Sequence, residues 1–314
     1  METTILGGSL YQQGMMKDLK AEINLLSLIH HKQPGIAFIA MVGHEPLLKY
    51  TIGLHLAAAE GLGFKVLLET RPHDVAEREV IEIIDKLNLN EDIHAIVLLQ
   101  PIPQHLSSIN LTRRINPDKE VEGFHPMNMM DTAINGIQHS RYPMCLPVAL
   151  LELFSNENLI IKEDSEFVFI FDDYFFSNPF TKLILRTATS IVVPDNCSNT
   201  ILSTGNHKLA EHCRSADYLF VISKQVEFLK SEWLKPGVCV IDIYSNLVKE
   251  VPSKKDASKM IPVIRGGVNV ASVQGIASAI APVPGGLMQI LLVVLFRNSL
   301  MAFKYAMLNN AQSV

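Results

Sequence analysis

Two groups of residues in this 314-residue sequence have types and spacings suited to ligand chemistry. The first lies between Ile93 and Asn128. Ala95 to Leu99 is an unbroken apolar run, the pattern of a strand buried on both faces. Pro101 and Pro103 end it, because proline donates no ladder hydrogen bond and fixes its own φ. Gln100 therefore stands just beyond the strand. The turn signal Asn116-Pro117-Asp118 then precedes Glu122-Gly123-Phe124-His125-Pro126. Amide and carboxylate groups beyond the carboxyl end of such a strand lie where open α/β sheets bind ligands. The second group is Pro282-Val283-Pro284-Gly285-Gly286, whose paired glycines would let a flat ligand approach the backbone.

The elements that position these groups follow from hydrophobic periodicity. Met15 to Ile29 has helical spacing, with Leu19, Ile23, Leu26 and Ile29 on one face. Gly35 to Gly43 reads as a strand, Leu47 to Leu62 as a helix, Phe64 to Leu68 as a strand and Val75 to Leu87 as an amphipathic helix. Pro143 to Phe154 reads as a helix bridging two domains. Beyond it the sequence predicts strands at 166–171, 190–193, 218–222 and 238–243, with helices at 179–187 and 209–215. Alternating strands and helices indicate an α/β fold with a parallel sheet.

Composition narrows the functional class. Hydrophobic residues make up 48% and charged residues 19%, the balance of a chain with packed cores. A net charge of -5 argues against a nucleic-acid footprint. Cys145, Cys197, Cys213 and Cys239 form no CxxC pair, so neither a metal nor a redox couple is suggested, and scattered thiols fit a reducing, cytoplasmic setting. The first twenty residues lack the apolar core of a secretory signal. Gly275 to Phe296 is uncharged, but only Leu287 to Phe296 is continuously apolar. That is too short to span a bilayer, so a buried core helix and no membrane contact are expected.

The motifs resemble those of the bifunctional methylenetetrahydrofolate dehydrogenase/methenyltetrahydrofolate cyclohydrolase family, in order and over nearly the whole chain. That family carries QLPLP, DVDGFHP and PVPGG segments. Here they read Leu99-Gln100-Pro101-Ile102-Pro103, Glu120-Val121-Glu122-Gly123-Phe124-His125-Pro126 and Pro282 to Gly286. The resemblance implies two α/β domains around a cleft. Residues 1–145 plus 282–314 would form a folate-binding, catalytic-type domain, and 146–281 a Rossmann-like, dinucleotide-binding type. It also implies a homodimer, tetrahydrofolate as substrate, and NADP or NAD as cofactor. In the family reaction a hydride leaves the methylene bridge for NAD(P), and water then opens the resulting methenyl cation to 10-formyltetrahydrofolate.

Several chemical positions depart from the family pattern. The family places tyrosine and lysine as Y-x-x-x-K on a helix. Tyr50 supplies the tyrosine, to stack and orient the substrate, but Leu54 occupies the lysine position and cannot move a proton. Lys49 lies about 100° around the helix from Tyr50, which makes it a poor substitute. Leu99 and Gln100 invert the family's glutamine–leucine pair, so Gln100 is expected to face away from the family direction. Glu122 replaces an aspartate that binds the pterin amino edge, and its arm is one methylene longer. With Tyr50, Leu99, Pro282, Gly285 and Gly286 it makes up the expected substrate site, and Tyr50 and Gln100 are the expected catalytic residues. In the second domain, Phe171 and Ser177 stand for glycines, Asp172 and Asp173 for the phosphate-binding arginine and serine, and Tyr244-Ser245-Asn246 for G-I-N. Two carboxylates repel a phosphate, so dinucleotide binding is expected to be degraded. The resulting expectation is a folate one-carbon family member with impaired catalysis. The alternatives are a non-catalytic folate-binding, regulatory or partner-binding paralogue (a pseudoenzyme), or one-carbon chemistry on another substrate.

Overall fold

The computed structural model describes residues 2–43, 45–254, 256 and 258–312. Two compact units emerge. The first comprises Gln13–Val148 with Leu292–Val314, and the second Met1–Gln12 with Ala149–Leu291. Residues 1–12 and 282–291, assigned to the first domain by sequence, therefore group with the second unit. The reason is strand pairing: β1 (Thr4–Ile5) lies parallel to Ala279 and Ile280 in the second unit's sheet.

In the first unit, α1 (Ser9–His30) begins earlier than the periodicity suggested. Leu19 and Ile23 are buried, whereas Ile29 is 59% exposed, so the expected four-residue face is buried only in part. The strands β2 (Gly35–Val42), β3 (Lys65–Pro72) and β4 (Ala95–Leu98) form a parallel sheet in the order β3-β2-β4. β2 is central and buried almost throughout. The intervening helices are α2 (Leu48–Leu62) and α3 (Glu77–Leu89). Val80, Ile83, Ile84 and Leu87 of α3 join Ala37, Ile39, Ile96 and Leu98 of the strands in one core. Three further helices follow: α4 (Ser108–Arg114), α5 (Pro126–Asn135) and α6 (Cys145–Asn156), the last passing into the second unit at Ala149. The sequence predicted no element at the first two.

The second unit holds a six-stranded, wholly parallel sheet, the Rossmann-like half that the sequence rhythm indicated. Its strands after β1 are β5 (Glu166–Phe171), β6 (Ser198–Ser203), β7 (Tyr218–Ile222) and β8 (Cys239–Asp242). A separate antiparallel pair, β9 (Asn246–Pro252) and β10 (Met260–Arg265), comes next, then β11 (Ala279–Ala281). The order is β1-β11-β8-β7-β5-β6. The helices are α7 (Asp173–Phe176), α8 (Pro179–Val192), α9 (Leu209–Ser215) and α10 (Val270–Val273), while α11 (Leu287–Gln312) begins in this unit and belongs to the first from Leu292 on. The strand expected at 190–193 does not form. Phe180, Leu185, Ala188 and Val192 are the buried stripe of α8, so the Ile191-Val192-Val193 run belongs to the helix end. The actual strand, β6, is a half-exposed edge with two apolar residues, which is why periodicity missed it.

The two faces of the large sheet differ in chemistry because successive strand residues alternate sides. Val168, Ile170, Leu219, Val221, Val240 and Ile280 make an aliphatic core. On the other side the rings of Phe169 and Phe220 stack with centroids 4.2 Å apart, and Phe167 stacks on Tyr218 at 4.6 Å. α11 is 26 residues long, well beyond the ten-residue apolar run that sequence counting isolated, so the length argument against a span fails. Leu287 to Asn309 is apolar and long enough to cross a membrane by composition, but 61% of its 18-residue apolar stretch is buried within the protein, as in a core helix.

Phe169→Ala should cost about 3–5 kcal/mol, because it opens a cavity between stacked rings. Urea denaturation followed by far-UV circular dichroism would measure it. A loss below about 1 kcal/mol would show that the aromatic face collapses freely.

Candidate functional site

The site-bearing loop of the first unit is built on one buried carboxylate. Glu120 is 2% exposed. It accepts the backbone N–H of Glu122 at 2.9 Å and of His125 at 2.8 Å, the N–H of Phe124, and the Asn128 side-chain amide at 3.2 Å. The sequence Glu-Val-Glu-Gly-Phe-His-Pro-Met-Asn thus wraps around its own first side chain. Gly123 sits at φ +78°, and a Cβ there would lie 2.6 Å from the Met144 Cα, so no other residue fits. His125 caps α5 by accepting the Met127 N–H at 3.2 Å, a structural role. Asn298 ties the loop down by donating to the carbonyls of Val121 at 2.9 Å and Pro143 at 3.0 Å.

The open edge of β4 holds this loop in place. Ile96 donates its N–H to the Lys119 carbonyl at 2.7 Å. Two residues on, the Leu98 N–H donates to the Glu122 carboxyl. Glu122 as a residue is half-buried, but its carboxyl is enclosed. Burial and the neighbouring Glu120 push it up to about 8. Burial raises Glu120 too, but four donors oppose the rise, against one backbone donor for Glu122. Glu122 therefore keeps its proton at neutral pH. Cys145, buried close by, is held as the thiol by burial and by both carboxyls. Sequence reasoning singled out Glu122 but passed over Glu120. The visible signal was the two acids spaced at i and i+2.

The remaining expected residues of this unit sit as follows. Tyr50 is half-buried in the first turn of α2, and Leu54, one turn on, is 58% exposed. Lys49, offset about 100° around the helix, has its Nζ 4.8 Å from the Tyr50 ring centroid, because a four-carbon arm can fold back across that angle. Leu99 is buried at the end of β4, with its N–H donated to Ile39. Gln100 is exposed and turns onto its own backbone. Its Oε1 accepts the Ile102 N–H at 3.4 Å and its Nε2 is 3.5 Å from the Leu98 carbonyl. The Gln100–Pro101 and Val283–Pro284 peptide bonds are both cis.

In the second unit, the turn from Pro282 to Gly286 precedes α11. Gly285 has φ +109°, with open space where a Cβ would be. Gly286 is packed from within, since a Cβ would lie 2.8 Å from the Pro282 carbonyl oxygen. At the carboxyl end of β5, Asp172 caps the short α7, accepting the Tyr174 N–H at 3.2 Å. It also accepts from the Ser223 hydroxyl at 3.4 Å and the Lys224 N–H at 3.3 Å, both from the loop after β7. Asp173 accepts the Ser203 hydroxyl. Phe171 packs edge-on to Phe176 at 5.5 Å, and Ser177 bonds the Tyr174 carbonyl at 2.6 Å. Ser245 is half-buried beside Asn246, whose amide donates to the Ser223 carbonyl at 3.0 Å. Asp242, missed in the sequence, is fully buried and accepts the N–H groups of Gly267 at 3.1 Å and Val268 at 3.0 Å. Burial raises it to about 7. No cluster of metal-ligating side chains occurs among the described residues. The donors that would cradle a diphosphate are taken by Asp172, and these residues do not fit that group.

A parallel Rossmann-like sheet in one unit, and a buried-acid loop beside a three-stranded parallel sheet in the other, define a two-unit α/β protein of dinucleotide-enzyme architecture. Residues 6–122 match the catalytic domain of tetrahydrofolate dehydrogenase/cyclohydrolase, and residues 144–307 match its NAD(P)-binding domain. The chain is 31% identical over 305 residues to the bifunctional protein FolD of Desulfosudis oleivorans, covering 97% of this chain and 98% of that one. It is 29% identical over 306 residues to FolD of Desulfatibacillum aliphaticivorans, covering 98% and 99%. Its fold resembles the Trypanosoma brucei methylenetetrahydrofolate dehydrogenase-cyclohydrolase, solved with NADP and an inhibitor. The TM-score is 0.81 at 22% identity, with 98% and 99% covered. The chain belongs to the tetrahydrofolate dehydrogenase/cyclohydrolase family.

The raised Glu122 carboxyl has a signed consequence for stability. The folded chain keeps this proton up to about pH 8, while the unfolded chain releases it near 4.5, so stability is lost as pH rises between them. Asp242 acts in the same sense up to about 7. Urea denaturation from pH 5 to 9 should show this decline, and Glu122→Gln should lessen it, leaving the part due to Asp242. Glu120→Gln, which turns an amide donor toward backbone donors, should instead cost about 3 kcal/mol or more at every pH. Equal slopes in wild type and Glu122→Gln would place the proton elsewhere.

Proposed function

We propose that this chain binds a reduced folate through the loop around Glu122, and that its catalysis is impaired because the proton-moving lysine is absent. The observation that carries this reading is the contrast between two places in one unit. The Glu120–His125 loop is fully built, with four donors on the buried acid and a glycine that nothing else can replace. At the turn of α2 after Tyr50, the side chain is an exposed leucine.

Glu122 can recognise the pterin amino edge in two ways. As a carboxylate it accepts two donors, and as a neutral acid it accepts one and donates one. With the proton resident at neutral pH, a ligand presenting two donors must displace it, so binding releases a proton. Tyr50, with Lys49 over its ring, supplies a flat face for the ligand. Ring opening of a methenyl cation needs a base for the attacking water, and Leu54 offers none. The protein would act in the cytoplasm as a homodimer, as its family resemblance implies.

Calorimetric titration with tetrahydrofolate, without nucleotide, should give micromolar binding, about 8 kcal/mol. Proton release should show as a dependence of the heat on buffer ionisation enthalpy. Leu54→Lys should then raise cyclohydrolase activity by about 10²-fold or more. Folded protein that binds no tetrahydrofolate would end the folate reading. Tight binding with no gain in Leu54→Lys would leave the ligand but remove the lysine argument.

A further inference from the structure

A dinucleotide's diphosphate needs free N–H donors and open space at the carboxyl ends of the strands where the sheet order reverses. In the second unit that point lies between β5 and β7. The chain leaves β5 to one side to form β6 and returns on the other side as β7. Asp172 stands there. Its own N–H donates to the Ile222 carbonyl at 2.9 Å, which pins it between the two strand ends. Its carboxylate takes donors from both sides: Tyr174 from the β5 side, and Ser223 with Lys224 from the β7 side. An ordinary helix-capping aspartate would account for the first of these contacts. It would not reach across to the loop of another strand, 51 and 52 residues along the chain.

The surroundings close the same space. Asp173 and Phe175 belong to the one-turn helix α7, where a glycine-rich turn would be needed for close approach. The Phe175 ring meets Tyr244 edge-on at 5.3 Å, and the Lys224 amine lies 3.8 Å from the centre of the Tyr174 ring. At the next strand end, Asp242 fills the turn so tightly that a Cβ on Gly266 would lie 1.8 Å from its Oδ2.

We propose that Asp172 is a built-in anion standing in the diphosphate position, and that the second unit binds neither NAD nor NADP. This claim goes beyond the folate reading and does not depend on it. If both hold, any reaction here is redox-neutral, because hydride removal from a methylene bridge needs an acceptor for two electrons. The one-carbon unit must then arrive already at the oxidation level of formate. A separate oxidation, or direct attachment of formate to the carrier, must supply it.

The test is titration of the full chain with NADPH, followed by its fluorescence, and with NAD by calorimetry, up to about 1 mM. Neither should saturate. Saturable wild-type binding of either with Kd below about 100 µM overturns the proposal. Inorganic pyrophosphate then probes the anion position itself. Asp172→Asn keeps the shape and removes the charge, and it should bind pyrophosphate at least tenfold more tightly than wild type. Asp173→Asn, which loses its charge outside that position, should not. Folded Asp172→Asn with no gain, or an equal gain in Asp173→Asn, overturns the role of Asp172. The wild-type titrations decide the closure claim even if the variant fails to fold. Tetrahydrofolate binding, read separately, is untouched by either outcome.

Discussion

The first unit's Glu120–His125 loop depends on the buried carboxyl of Glu120. A carboxylate out of water is costly unless donors replace its hydration. Here backbone and side-chain donors from the next eight residues converge on it. The resulting turn is rigid, and it aims the next acid, Glu122, at the exposed edge of β4. Two like charges so close cannot both be ionised cheaply. Burial raises both, and Glu122, with a single backbone donor against the rise, holds its proton up to about pH 8. One structural decision therefore sets both the shape of the loop and the titration of Glu122.

The same device recurs in the second unit with a different consequence. Asp172 and Asp242 each meet the backbone donors at the carboxyl end of a strand. In the first unit Glu120 organises the loop that carries Glu122. In the second unit Asp172 takes donors from two strand ends, which is the ground for the proposed closure to a diphosphate. The Rossmann-like architecture survives around them, since the aliphatic core and the stacked phenylalanines do not depend on what binds at the strand ends.

Much of the local structure could be read from the sequence. Glu166–Phe171, Leu209–Ser215 and Tyr218–Ile222 form where the pattern put them, because apolar runs bounded by polar residues report burial directly. The motifs around Glu122 and at Pro282 to Gly286 carried the family. The substitutions at Leu54, Asp172 and Asp173 needed no coordinates. Edge strand β6 and the β9–β10 hairpin escaped, since half-exposed strands carry few apolar residues and take their identity from a partner.

The amino-acid sequence by itself determined the α/β class, the family and the departures from the family motifs, because these rest on residue type and short-range period. Tertiary structure decided the burial that raises Glu122, where Lys49 rests, and that Asp172 is shared between two strand ends. The physical reason is range. A side chain's hydrogen-bond partners lie wherever sheet register and crossovers bring distant segments together, and local spacing carries no record of that meeting. The donors of Asp172 on the β7 side come from more than fifty residues away, and only the folded sheet puts them within reach.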